Sequence, residues 1–278
     1  MSAAASLPTL APIAGYLTLL ELSVGTAAAA YLIDQVGTVG RGYVGSTAII
    51  SALVGGIALW IGANVPADVT LLHSPIQNAA MSDLIHWSFG YIGALLVLAF
   101  FSWEGTDAAR RVVGAATLLV GAVCIGKAAV AVGPAITGTP GALAVLAPAT
   151  LVTGAALAGM LLGHYYLVAP SLSFRPLRQM VRFVIGAVAV EALVVIGVLV
   201  AAAPSARTQM LTTYALPFWL LVIGAGMLFT VGVTLLTAHF ARIRANQPAT
   251  AMLYVLIISV LMGVVPAHLL FFVTGTPV

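Results

Sequence analysis

The chain has 278 residues, 62% of them hydrophobic and only 6% charged, against about a quarter charged in a soluble globular chain. At ~20 apolar residues per span, this length holds about seven to nine transmembrane helices and leaves no room for a separate nucleotide-binding, haem-c or iron–sulfur module. A net charge of +3 is too small and too dispersed for a nucleic-acid partner, and a single cysteine, Cys124, excludes disulfide frameworks, thiolate zinc sites and CxxCH haem attachment within the chain.

Apolar runs bounded by charge, Pro or Gly predict eight spans, at about 9–33, 45–64, 83–103, 111–133, 141–168, 181–203, 213–241 and 249–274. The expected fold is all-α: a polytopic integral membrane helix bundle forming one transmembrane domain. Met1 to Pro12 has no basic n-region and no cleavage site, so it reads as a short tail before the first helix and not as a signal peptide. Span 1 carries Glu21, and Arg41 follows it. Span 2 holds Gly55-Gly56 and ends near Trp60. The longest connection, about Val65 to Ser82, contains Pro66, Asp68, His73 and Pro75. It reads as a plain connector, a surface helix or a lid. Span 3 opens on His86 and Trp87, contains Gly90 and Gly93, and ends at Trp103. Arg110 and Arg111 precede span 4, which contains Cys124 and Lys127. Span 5 carries Gly154, Gly159 and Gly163 and ends at His164, followed by Arg175, Arg178 and Arg182. Span 6 carries Glu191, with Arg207 beyond it. Span 7 holds Trp219, Gly224, Gly226, Gly232 and His239, and is followed by Arg242 and Arg244. Span 8 contains Pro266 and His268.

Eight of the ten basic residues fall at connections 1–2, 3–4, 5–6 and 7–8. Lys and Arg near helix ends are retained on the cytoplasmic side, so both termini are expected to face outward, in a bacterial-type inner membrane. The four tryptophans map near span ends, where an indole places its N–H at the interface. The recurring glycines serve close helix packing in lipid or make room for a flat cofactor. A faint echo links Gly163-His164-Tyr165-Tyr166, followed by Arg175-Pro176, with Ala238-His239-Phe240, followed by Arg242 and Pro248.

Ionisable groups within a bilayer are expensive and mark functional hypotheses. Depth sorting at about 1.5 Å per residue puts His86 and His268 in an outer layer and His164 with His239 in an inner one. Two facing imidazoles are what bis-histidine ligation of a b-type haem requires, and Arg175, Arg178 and Arg242, with Arg182 and Arg244, are within sequence reach to pair with the propionates of an inner haem. Histidines near span ends also serve as interfacial hydrogen-bonding residues. A copper site with Met262 or Met81 is a weaker reading, since no Met-x-x-Met or His-x-His cluster is present.

Glu21 and Glu191 fall near mid-span, with Lys127 in the outer half of span 4. A lone carboxylate at that depth takes up a proton through desolvation, whereas a paired one stays charged. The three form either a buried structural pair or a site for proton relay and quinone binding. Pro266, two residues before His268, leaves a carbonyl unpaired and favours a cavity.

No G-x-x-x-x-G-K-[ST], H-E-x-x-H, G-x-S-x-G or paired Asp-rich motif occurs. Lys127 lacks a nearby carboxylate in sequence that could serve as counter-ion to a retinal Schiff base. The two-layer layout is similar to that of di-haem cytochrome b subunits and quinone-reactive membrane anchors of respiratory enzymes, in layout only and without a shared motif. Three functions are therefore expected. The first is an electron-transfer subunit holding one or two b haems and passing electrons between a membrane quinone and a peripheral or soluble redox subunit in a hetero-oligomer. The second is a proton-coupled transporter using Glu21, Glu191 and Lys127 at the midplane. The third is a haem-free quinone-binding anchor.

Overall fold

A computed structural model describes residues 7–36, 39–66, 69–71, 75–169 and 171–276. Within them lie nine α-helices: α1 (Leu7–Gln35), α2 (Arg41–Ala63), α3 (Asn78–Glu104), α4 (Asp107–Val132), α5 (Thr139–Val168), α6 (Arg175–Ala201), α7 (Pro204–Thr212), α8 (Thr230–Arg242) and α9 (Asn246–Thr274). A π-helical segment, Pro217–Phe229, runs directly into α8, and the two make one span. Among the described residues there is no strand, only an isolated bridge between Thr70 and Pro75. Eight helices are long and apolar enough to cross a membrane, so this is a multi-pass membrane protein. Without water to satisfy N–H and C=O groups, helices that close their own hydrogen bonds are what such a sequence can form.

Several helices run past the apolar runs that predict them. The span expected from about residue 181 begins at Arg175, so Arg175, Arg178 and Arg182 project from the first two turns of α6 instead of a loop. Polar side chains at a helix end can reach water, so the helix outlasts its hydrophobic stretch. At α4 the start is marked: the Thr106 hydroxyl accepts from Ala109 N at 3.2 Å and Asp107 occupies the first turn, both favourable to an N-terminus. α9 stops at Gly275, whose φ of 68° suits glycine. In the connection from Val65 to Ser82, the sequence residues Asp68 and His73 lie outside the described residues.

α1 is the central element, packed against α2, α4, α5, α6 and α9. It is apolar on every side for that reason. One core joins α1 to α3, α4 and the first half of α5; a second joins α5, α6, α8 and α9. They meet where α1 crosses α5, with Gly25 and Gly154 backbone to backbone: a Cβ on either would overlap the other's main chain. Gly226 of the π segment and Gly263 of α9 make a second such crossing. By contrast Gly56, Gly90, Gly93 and Gly232 have open space where a Cβ would go, so these four make no close helix contact within the bundle. Outward-facing side chains such as Leu53, Phe89, Val112, Val200 and Leu216 are exposed, and in a membrane they meet lipid.

The connections bearing most of the arginines gather at one end of the bundle. There Arg110 of α4 reaches Asp34 of α1 at 3.0 Å, both buried. Arg41 of α2 contacts Asp107 at 2.9 Å and donates to Gly105 O at 2.9 Å. These contacts tie α1, α2 and α4 together.

Candidate functional site

Thr18 and Glu21 stand three residues apart on α1 and so share a face. That face meets α9 at His268. The imidazole is fully buried; its Nδ1 lies 3.0 Å from Thr18 Oγ1 and its Nε2 lies 3.2 Å from Glu21 Oε1. Phe272, one turn along α9, stacks on the ring with planes 15° apart. When Nδ1 accepts from the threonine hydroxyl, Nε2 carries the ring proton and faces the carboxyl group. The 3.2 Å approach is off-axis, however: neither Glu21 oxygen nor His268 Nε2 has an aligned hydrogen-bond partner. Glu21 is 1% exposed, so this is an acid and a base in contact, away from water, with bonding capacity to spare. Buried groups of this kind are uncommon and call for an explanation.

Glu191 completes the arrangement. It lies sixteen residues into α6, about 24 Å from the arginine-bearing end. It faces a cavity of about 20 Å³ whose wall includes His268, together with Pro148 of α5 and Val264 of α9. That is enough for one water. On its other side, Glu191 borders a gap of about 10 Å³ lined by Val222 and Gly226 of the π segment and by Val260 and Gly263 of α9. α6 packs on α5 and α8, but not closely on the π segment, and Glu191 is partly exposed.

Three irregular helices converge on these cavities. Pro148 interrupts α5 and Pro266 interrupts α9, each unable to donate to the carbonyl four residues back. The π segment shifts its ladder by one residue, a distortion common at functional sites. The Gly226–Gly263 contact fixes the separation of two of these walls.

The remaining sequence-predicted residues lie elsewhere. Lys127 pairs with Asp83 of α3 at 2.6 Å, with side chains 36% and 46% exposed, and meets neither Glu21 nor Glu191. His86 is exposed, its Nδ1 2.6 Å from Ser82 O. His268 is not beside it: α3 packs on α2 and α4, whereas α9 packs on α1, α5, α8 and the π segment. His164 is exposed, its Nδ1 3.3 Å from Tyr254 OH on α9. His239, also exposed, lies edge-on to Phe240. α6 and α9 each pack on both α5 and α8, the helices that bear His164 and His239. Axial ligation of one haem by two imidazoles needs rings facing across a common gap; of the four histidines, His268 is buried and His86, His164 and His239 are exposed. Arg175, Arg178, Arg182, Arg242 and Arg244 are exposed at the arginine-bearing end, and Arg244 takes a left-handed φ of 59° in the α8–α9 turn. Among the described residues no three His, Cys, Asp or Glu side chains form a cluster that could hold a metal ion.

Thr18, Asp34 and Asp83 were missed by sequence reasoning. Thr18 carried a usable signal, since it lies one turn from Glu21 on the same helix face. Comparison of the chain with protein-family models and with curated proteins returns no match.

Proposed function

We propose that the chain is a proton-coupled membrane transporter whose proton-binding site is Glu21 with His268, joined through the adjoining cavity to Glu191. The observation that carries this reading is the Glu21–His268 contact itself: a buried carboxyl with both oxygens free of aligned donors, 3.2 Å from a buried imidazole. Such a pair holds a proton on either partner, and a small shift in geometry decides which. Pro148 within α5, Pro266 within α9 and the π segment beside Glu191 support coupling to movement, because each weakens or shifts its helix's own hydrogen-bond ladder near the site. The arginine distribution supports a cytoplasmic location for that end of the bundle, hence outward-facing termini and a bacterial-type cytoplasmic membrane.

The test is a pH step applied to the purified chain, reconstituted in liposomes on a solid-supported membrane. A charge displacement that disappears in Glu21→Gln is expected; an identical signal from wild type and Glu21→Gln would overturn the reading. A panel of solutes presented with and without the pH gradient then identifies the transported class.

A second reading, a haem-free quinone-binding anchor, uses the same three residues. It is favoured by the partial exposure of Glu191 and by the gap it borders beside the π segment, through which a lipid-soluble quinol would arrive. Quinol oxidation by the reconstituted chain with an added acceptor separates it from transport. The electron-transfer subunit with b haems and a redox partner has less support, since it rests on histidine depth alone. A pyridine haemochrome spectrum decides it.

A further inference from the structure

The span made of the π segment and α8 turns a single buried stripe toward α9. From the far end its buried residues are Phe218, Val222 and Gly226, then Thr230, Val233, Thr234, Thr237 and Ala241. The stripe changes character at Glu191. Beyond Gly226, which lines the cavity beside Glu191, it is apolar; from one turn nearer the arginine-bearing end, every fourth or third position carries a hydroxyl. Thr230, Thr234 and Thr237 are 0%, 2% and 0% exposed. Across the interface Ser259, next to the cavity residue Val260, places its Oγ 2.9 Å from Thr230 Oγ1. Thr234 donates to Thr230 O at 2.7 Å and Thr237 to Val233 O at 2.8 Å.

A threonine whose hydroxyl is satisfied by its own helix is ordinary in lipid, and packing would account for any one of these. What sets these apart is their place: along this stripe the hydroxyls lie to one side of Glu191, and a hydroxyl-to-hydroxyl pair joins two helices beside the cavity residue Val260. A hydroxyl both donates and accepts, so a row of them can take a proton on one lone pair and release another from the far side.

We propose that protons reach Glu191 from the arginine-bearing end along this row, through Thr237, Thr234 and the Thr230–Ser259 pair. The inference rests on Glu191 being part of a proton site. A hydronium at the helix end delivers one proton, each hydroxyl is returned unchanged, and the Glu191 carboxylate becomes a carboxylic acid. Hydroxyls one turn apart are separated by about 6 Å along the axis, so the path requires one water to enter at each step.

The test is infrared spectroscopy of the full chain in lipid, following the carboxylic-acid band that Glu191→Gln removes and its rate of shift after exchange into deuterated buffer. Thr230→Val and Thr234→Val, which keep side-chain shape, are expected to slow that exchange at least tenfold. Thr230→Ser, which keeps the hydroxyl, and Thr153→Val, a buried hydroxyl on α5 away from the row, leave it unchanged. Exchange at the wild-type rate in both valine variants overturns the path while the site stands. If Glu191→Gln removes no band, the site itself fails and the path with it. Thermal unfolding of each variant establishes that slowed exchange is read on a folded protein.

Discussion

His268 of α9 touches Thr18 through one ring nitrogen and Glu21 through the other, so a single imidazole spans two side chains of the central helix α1. In the proposed site the threonine restrains the ring while the carboxyl group exchanges a proton with it, and the two contacts therefore differ in what their loss does. Glu21→Gln preserves size and removes the titrating group, so the pH-step response is abolished in a protein that still folds. Thr18→Val removes a restraint worth about 0.5–1.5 kcal/mol as a neutral hydrogen bond. It weakens the response by up to about tenfold without abolishing it. Equal loss in both variants would mean that Thr18 transfers protons as well as positioning the ring.

The Asp34–Arg110 pair at the other end of α1 predicts stability, not activity. Both side chains are buried, and removing one partner from a buried pair leaves an uncompensated charge that costs about 3–5 kcal/mol. Arg110→Ala is therefore expected to unfold at markedly lower denaturant, measured by far-UV circular dichroism in mixed detergent. Replacing both, as Arg110→Met with Asp34→Leu, restores most of the loss because no charge is left unpaired. A double variant as unstable as the single one would point to a role for Arg110 beyond Asp34, in its 3.7 Å contact with Asp107.

The eight spans and their charge asymmetry were legible because lipid acts on every residue of a span at once, and 6% charge leaves few places for a boundary. Glu21, Glu191 and His268 were legible as exceptions to that solvent. Their association was not, since depth along an axis says nothing of rotation about it. His86 and His268 reach similar depths, yet one lies on an exposed face of α3 and the other in the interior. The sequence sets Lys127 against the mid-span glutamates, whereas its partner is Asp83, the first residue of the predicted third span; α3 starts five residues earlier, at Asn78, and Asp83 faces α4 from within that helix. The π segment has no sequence signature of its own.

The glycines divide by what surrounds them. At Gly154 a side chain would overlap the backbone of Gly25, which forces α1 and α5 apart one turn from Glu21. Gly154→Val is expected to lose more than the about 1–3 kcal/mol of ordinary overpacking and to fail to accumulate as folded protein. Gly186 on α6 has nothing within 4 Å, and Gly186→Ala gains helix propensity of up to about 1 kcal/mol. Retention on size-exclusion chromatography after heating ranks the pair. A tolerated Gly154→Val would show that the α1–α5 crossing can open.

Lys127 separates a charge that the bilayer interface tolerates from one that the site needs. Its partner Asp83 is near, at 2.6 Å, but both side chains are over a third exposed, and pairs of that kind contribute about 0–1 kcal/mol. A double-mutant cycle of Lys127→Met and Asp83→Asn is expected to give a coupling within that range. More telling is the pH-step response, which survives both substitutions because neither residue touches Glu21, His268 or Glu191. Loss of the response in Lys127→Met, with folding intact, would move the proton site from α1, α6 and α9 to the α3–α4 pair.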